Sequence, residues 1–195
     1  MSWPVADLDP VRRLRALAAA IPGASVAERV IPAPFAAVWA VVSDLEGEFG
    51  TFEPDMRHLT VESAGPDEGR LVARARSRYG MRARFDVDLR PGWCWMQSRF
   101  LLVGLAATAV PEGTLVAQTG GVRVPGRAAL VPWGVRVAGE KALARLASRV
   151  TADNAADDAG RDAARDAGRD AGRDAGRDAG RDAGRDAGRD AGGAS

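Results

Sequence analysis

The sequence is poor in the residue types that build metal sites and nucleophilic active sites. Its 195 residues include one cysteine, Cys94, and one histidine, His58. A single cysteine excludes an intrachain disulfide, and the two residues together cannot supply the Cys/His set of a structural zinc site. Any Ser-His-Asp array would have to use His58. The sequence therefore predicts no metal and no cofactor.

Long apolar runs and a strong net charge are also lacking. No run approaches the roughly 20 apolar residues that span a bilayer, and the formal net charge is +1. A balance this mild does not indicate a nucleic-acid partner. With one cysteine and no spanning segment, we expect a cytoplasmic protein. The sequence does not indicate its oligomeric state.

Composition changes sharply near Thr151. From Arg161 to Gly192 the unit Arg-Asp-Ala-Gly repeats almost without variation. As a helix this repeat would lose about 1 kcal/mol at each glycine, and beyond alanine it has no apolar side chain to offset the entropy of ordering. We therefore predict an N-terminal helical extension over 1–24, one folded domain over 25–150 and a disordered tail over 151–195.

The N-terminal extension carries the signals of one amphipathic helix. Asp9-Pro10 is typical of a helix start, and Pro22-Gly23 of a helix end. Between them the apolar residues form one stripe, with the arginines off it. The stripe is short and its residues are small, which favours docking on the chain's own domain over a weak contact with an anionic membrane surface.

Within the folded domain the hydrophobic period changes twice. The stretch 28–45, ERVIPAPFAAVWAVVSDL, begins as a strand, is interrupted by Pro32 and Pro34, and continues at helical spacing. Two-residue alternations cut by Gly and Pro turns follow, and a helical pattern then runs from Ala128 to Val150. This order of elements is typical of the α+β class. The central strands are predicted over 56–63, 70–78, 81–90, 93–100, 101–110 and 114–122.

The hairpin of the strands over 70–78 and 81–90 has a register that parity determines. Their odd-numbered residues are the less polar set, and these sets can pair only if the loop holds an odd number of residues, such as Tyr79-Gly80-Met81. The shared face is rich in alanine, and small side chains opposite long helices leave a gap. This predicts a ligand pocket, with a core filled by Trp39 or Trp133 as the alternative. The next two strands lack a clear separator, which indicates a bend or bulge near Gly104.

The opening ERVIPAPFAAVWAVVSDLEGEF, with its Val38-Trp39 pair, resembles the START-like helix-grip superfamily, also called SRPBCC. That superfamily includes polyketide cyclase/dehydrase-type proteins and lipid carriers. The resemblance covers about residues 25–150, and the tryptophan that many members place after the second helix is here Phe52. It implies a curved antiparallel sheet of about seven strands wrapped around a long C-terminal helix, with an internal cavity for a hydrophobic or amphipathic small molecule. It does not imply one reaction, because the fold serves carriers, cyclases and hydrolysis cofactors.

We expect this cavity to hold a lipid or polyketide-like molecule, which makes the protein a carrier or sensor. No catalytic residue is predicted, because His58 has outer-face parity and Cys94 has no adjacent histidine. A cyclase- or dehydratase-like enzyme stays open if Tyr79, His58 or an arginine reaches the pocket. The predicted ligand-binding residues are Ala73, Ala75, Ser77, Ala83, Phe85, Val87, Met96, Trp133 and Val137.

A row of arginines is the main evidence for a function other than ligand binding. It could bind the phosphates of lipid headgroups or nucleic acid, which would make the protein an adaptor for anionic surfaces. Asp86 and Asp88 interrupt it, and this favours an ordinary solvated sheet face. Trp93 and Trp95 share the parity opposite to Met96, and the sequence leaves open whether they lie on the outer face or line the cavity. The row comprises Arg70, Arg74, Arg76, Arg78, Arg82, Arg84 and Arg90.

Overall fold

The computed structural model describes residues 8–21, 23–53, 55–64, 67–122, 136–156 and 159–161. The chain divides into two compact units, Met1–Thr151 and Ala152–Ser195. In the second unit the described residues, 152–156 and 159–161, are helical. We predict disorder over 151–195, and these described residues are helical instead. The rest of the tail, from residue 162 onward, lies outside the described residues.

Up to residue 156, the described residues contain seven strands and four helices. The strands form one antiparallel sheet in the order β1-β7-β6-β5-β4-β3-β2, so each strand pairs with a neighbour in sequence except β1, which pairs with β7. The elements are α1 (Pro10–Ala19), β1 (Ser25–Ile31), α2 (Phe35–Ser43), α3 (Phe49–Phe52), β2 (Met56–Ala64), β3 (Arg70–Ser77), β4 (Arg82–Arg90), β5 (Trp93–Gln97), β6 (Leu101–Val110), β7 (Gly113–Val122) and α4 (136–156).

Different helices pack on the two faces of the curved sheet. On its inner face one core cluster joins α2, α3 and α4 to the strands, with Phe49, Phe85 and Leu146 almost fully buried. On its outer face α1 packs through Val11 and Leu14 against a smaller cluster. The α+β class and the helix-grip arrangement, a sheet closing on a long C-terminal helix, are confirmed. No helix among the described residues is long and apolar enough to pass through a bilayer.

Helix α1 forms and docks for local reasons. The Asp9 carboxylate accepts hydrogen bonds from the backbone N–H groups of Val11 at 3.0 Å and Arg12 at 3.1 Å, and proline occupies the first turn. Arg15 then donates two hydrogen bonds, of 2.6 and 2.7 Å, to Glu28 of β1. Of the two dispositions open to this helix, the structure shows docking on its own domain.

The β3–β4 hairpin pairs residues of the same parity, as predicted, but its loop lies one residue before Tyr79-Gly80-Met81. Ala73 stands opposite Phe85, and Ala75 opposite Ala83, so the odd-numbered residues of both strands share the inner face. The Ser77 N–H donates to the Met81 carbonyl at 2.8 Å. This bond closes a three-residue loop, which agrees with the odd count required.

Two expectations about the later strands are wrong. The separator between β5 and β6 is a turn at Ser98, whose hydroxyl accepts from the N–H groups of Phe100 at 3.3 Å and Leu101 at 2.9 Å. No bulge occurs at Gly104, which pairs regularly with Trp95 and with β7. A Cβ at Gly104 would lie 2.9 Å from Leu14 Cδ1, so glycine there admits α1 to the sheet.

The C-terminal helix continues beyond its predicted end at Val150, to residue 156. Because the sequence has no glycine or proline between Lys141 and Asn154, nothing in it stops the helix at 150. The predicted start at Ala128 lies outside the described residues.

Candidate functional site

A cavity of about 480 Å³ opens at one end of the sheet, between its inner face and the start of α4. The elements around it are the residues after α3, the β3–β4 hairpin, the β5–β6 turn, the end of β7 and the first turn of α4. Among the described residues, its apolar lining includes Met56, Ala75, Tyr79, Met81, Ala83, Phe85, Phe100, Leu101, Leu102, Val103 and Ala138, and its polar lining includes Glu53, Asp55, Ser77, Arg82, Ser98, Gln118 and Thr119.

The predicted ligand-binding residues divide between the cavity and the packed core. Ala75, Ser77, Ala83 and Phe85 are on the lining. Ala73, Val87 and Met96 are buried in the inner core cluster. Val137 is partly buried, immediately before the lining residues Ala138 and Gly139. Trp133 lies outside the described residues.

Cross-strand pairing explains why the hollow begins where it does. Ala73 faces the large ring of Phe85, which fills the space between the strands and the helices. One pair nearer the hairpin turn, Ala75 faces Ala83, and two methyl groups cannot fill the same space. Trp39, one of the two candidates for filling this space, instead packs partly buried beside Phe35, with ring centroids 6.1 Å apart. The other candidate, Trp133, lies outside the described residues.

A buried carboxyl group lies at the inner end of this cavity. Glu53 is 8% exposed, and its Oε2 accepts a hydrogen bond of 2.6 Å from Gln118 Nε2. Burial raises the pKa of Glu53 to about 7, although the hydrogen bond from Gln118 lowers it. The charge of Asp55 raises this pKa further, and that of Arg145 lowers it. The carboxyl can therefore hold or release a proton near neutral pH.

Its partner Gln118 is not fully satisfied. Gln118 is 5% exposed, and its Oε1 is buried without a hydrogen-bond partner among the described residues. An unpaired buried acceptor costs about 1–3 kcal/mol. Nearly all buried polar groups in proteins have a hydrogen-bond partner, so an unpaired one requires an explanation.

Sequence reasoning missed this pair, although part of its signal was available. Gln118 lies two residues from the buried Val116 in β7, so both point to the inner face, and a lone amide in that phase is a polar group facing the core. Glu53 gave no such signal, because it lies among several acids in a short connection. Its burial follows from α3, whose Phe49 carbonyl accepts from the Glu53 N–H at 3.1 Å.

The mouth of the cavity carries exposed apolar side chains. Tyr79 and Met81 belong to the β3–β4 turn, Phe100 belongs to the β5–β6 turn, and all three are at least half exposed. The guanidinium of Arg78 lies 5.5 Å from the centre of the Tyr79 ring. Tyr79, one of the residues that an enzymatic function would need in the pocket, is on the lining.

Of the other candidates for chemistry, Arg82 is on the cavity lining, whereas His58 and Cys94 are not. His58 is exposed on β2. Cys94 is fully buried, and burial raises the pKa of its thiol to about 12, which leaves almost no thiolate near neutral pH. Within the part of the chain that the structure describes, no group of three or more His, Cys, Asp or Glu residues could hold a metal ion.

Some arginines of the row on the outer face form ion pairs. Arg74 lies 2.7 Å and Arg84 3.7 Å from the carboxylate oxygens of Glu62, a partner that sequence analysis did not foresee. Arg90 pairs with Asp88 at 2.8 Å. These contacts reduce the positive charge that the row presents to solvent.

The two tryptophans of β5 lie on the outer face. Trp93 and Trp95 stack with their centroids 5.9 Å apart, and Arg13 of α1 lies 4.5 Å from the centre of the Trp93 ring. Trp93 belongs to the cluster under α1, whereas Met96 is in the inner core. A second cleft, of about 400 Å³, lies beside them, with Asp86 and Asp88 among its lining residues.

Comparison with known proteins supports the fold. In sequence, the chain matches no family model and no curated protein. Its structure is similar to that of the KanY protein, with 19% identity and a TM-score of 0.53 over 66% of this chain and 97% of that chain. It is also similar to the protein TTHA0849 from Thermus thermophilus, with 23% identity and a TM-score of 0.51 over 67% of this chain and 98% of that chain.

Ara h 8.0201 is a third similar structure, with 12% identity and a TM-score of 0.51 over 66% of this chain and 97% of that chain. These similarities confirm the predicted helix-grip fold. At these identities the similarity extends to the fold alone.

Proposed function

We propose that this protein binds a hydrophobic or amphipathic small molecule, lipid-like or polyketide-like, in the cavity between the sheet and α4, as a carrier or sensor. The observation that carries the proposal is the cavity itself, because its volume of about 480 Å³ falls in the range of small-molecule sites and most of its lining is apolar. Each Å² of apolar ligand surface removed from water contributes roughly 25 cal/mol.

The lining supports a ligand with an apolar body. The hollow is bounded by Ala75, Ala83 and Phe85, and the exposed rings and thioether at its mouth would cover a molecule that entered between the two turns. The polar residues make up the smaller part of the lining. This pattern of a mostly apolar wall with a few placed polar atoms is typical of sites that hold and orient small organic molecules.

Native mass spectrometry of protein purified gently from its host tests the proposal. We expect a bound small molecule of defined mass that organic solvent extracts. Protein that is consistently empty under gentle conditions would contradict a carrier or sensor role.

A second candidate function is a cyclase- or dehydratase-like enzyme acting on a polyketide-like substrate. The observation that favours it is Glu53, a carboxyl with a pKa of about 7 on the cavity wall, where a proton donor or acceptor of that strength suits general acid–base work. The test is loss of water from a β-hydroxyketone added to the protein. Turnover by the native chain that Glu53→Gln abolishes would establish the enzyme, whereas equal rates with and without protein would remove it.

We also propose a cytoplasmic location and a weak contact with anionic membrane surfaces. The single cysteine supports the location. Arg76 and Arg82 face each other across β3 and β4 without an ion pair among the described residues, which supports the contact. Co-sedimentation with acidic vesicles should fall as salt is raised, and binding that salt leaves unchanged would contradict this electrostatic contact.

A further inference from the structure

The polar groups at the inner end of the cavity are incompletely hydrogen-bonded. Over the described residues, two buried side-chain atoms lack a hydrogen-bond partner, and one of them, Gln118 Oε1, belongs to a residue on the cavity wall. The amide's Nε2 already donates to Glu53 Oε2 at 2.6 Å. No second side-chain hydrogen bond reaches the Glu53 carboxyl from the described residues, and both residues of the pair line the cavity.

The pair is held firmly enough to select a ligand. Glu53 is 8% exposed and Gln118 5% exposed, and each is on a separate element, one after α3 and the other in the middle of β7. Buried groups with limited freedom penalise a ligand that cannot match them. A wholly apolar molecule at this end would leave the unpaired oxygen as it is.

This inference rests on the proposed function. We propose that the ligand of this cavity carries a hydroxyl group that binds the Glu53–Gln118 pair. The apolar body of the ligand then lies along Ala75, Ala83 and Phe85 toward the mouth. A hydroxyl donates one proton and also accepts, so it satisfies an acceptor oxygen of the pair and accepts from Glu53 when that carboxyl is protonated. The Glu53–Gln118 pair requires a ligand group that can both donate and accept a hydrogen bond.

Other polar groups match the pair less well. A carbonyl or ether only accepts, so it leaves the Gln118 oxygen unpaired. A carboxylate would be placed against the Glu53 carboxyl and near Asp55. An ammonium group would have to pass Arg82 at the mouth, and it carries three donors that an apolar wall cannot satisfy.

The experiment compares two probes that differ in this feature alone. Calorimetric titration at about pH 6 with 2-naphthol and with 2-methoxynaphthalene measures affinity for the same ring system with and without a hydroxyl donor. We expect the native chain to bind 2-naphthol about tenfold more tightly, as one additional hydrogen bond would give. This comparison requires no variant.

Matched variants assign the preference to the pair. Glu53→Leu/Gln118→Leu removes both partners together, which avoids leaving either one buried alone. It should bind 2-methoxynaphthalene at least as tightly as the native chain does, and should lose the preference for 2-naphthol. Glu53→Gln keeps a polar partner and should retain the preference. His58→Ala, at an exposed position of β2 outside the cavity, should leave it unchanged.

The outcomes separate this inference from the proposed function. Equal affinity of the native chain for both probes, or a preference that persists in the double leucine variant, overturns the hydroxyl assignment and leaves an apolar site standing. Tighter binding of 2-naphthylmethylammonium than of 2-naphthol overturns it in favour of a cationic ligand. Failure of the native chain to bind any of the three probes overturns the proposed cavity function and the inference with it.

Discussion

Ala75 lies directly opposite Ala83 in the β3–β4 ladder, and both side chains face the cavity. One pair further from the turn, Ala73 faces Phe85 and is fully buried. The same residue type on the same face therefore occupies two environments, a hollow and a filled core.

This difference predicts opposite effects of one substitution. Ala83→Leu adds apolar volume where space exists, and we expect it to raise the free energy of unfolding by about 0.5–2 kcal/mol. Ala73→Leu overpacks the core beside Phe85, and we expect it to lower that free energy by about 1–3 kcal/mol. Denaturant unfolding of both variants gives the two signs. Equal destabilisation would indicate that the space at Ala83 is not available.

The buried Glu53 predicts that stability falls with rising pH. Its pKa is about 7 in the folded chain against an ordinary value of 4.5, so the folded state retains a proton that the unfolded state has released. The stability that this group contributes is complete below about pH 4.5 and is lost as pH rises through about 7, by on the order of 3 kcal/mol.

Glu53→Gln cannot titrate and serves as the reference for that effect. Relative to the native chain, the variant should become more stable as pH is raised from about 5 to about 8. Unfolding free energies of both chains at the two pH values give the comparison. Parallel pH dependences would show that Glu53 is not the buried acid described above.

The close approach of α1 to Gly104 predicts an energetic coupling between α1 and the sheet. A Cβ added there would lie 2.9 Å from both Leu14 Cδ1 and Trp95 Cε3, so Gly104→Ala should destabilise by about 1–3 kcal/mol. Leu14→Ala alone should cost about 2–5 kcal/mol, because Leu14 is fully buried.

Combining the two changes tests whether they share a contact. In Gly104→Ala/Leu14→Ala the new methyl group enters space that Leu14 has vacated, so the destabilisation should be smaller than the sum of the single effects. Additive effects in a double-mutant cycle would show that α1 does not lie over Gly104.

Cys94 should be inert in the folded protein. Burial raises the pKa of its thiol to about 12, and the side chain has no exposed surface. An aromatic disulfide reagent should therefore release no chromophore from the native chain and one equivalent after denaturation. Rapid reaction of the native thiol would contradict its place in the inner core.

Much of the fold follows from local pattern. The change of period at Pro32 and Pro34 locates the β1–α2 junction, and parity within β3 and β4 determines which side chains share the inner face. The β5–β6 turn was missed because Ser98 makes it through a side-chain hydroxyl, with neither glycine nor proline to mark it.

The site is harder to predict from the sequence than the fold is, because the site depends on which residues pair across the sheet. That Ala75 lines a hollow and Ala73 does not is decided by their partners Ala83 and Phe85. The acid at the inner end depends on a contact with Gln118, 65 residues away in sequence, to which no local pattern points. A polar residue in the inward phase of a strand is the signal to look for.

The measurement that tests the account most directly is titration of the native chain with N-phenyl-1-naphthylamine, a neutral fluorophore that brightens on leaving water. We predict saturable binding of one equivalent, weakened by Ala83→Leu in the hollow and unchanged by Ala109→Leu at an exposed position of β6. Fluorescence that rises without saturation, or that is the same in all three chains, would contradict a ligand cavity between the sheet and α4.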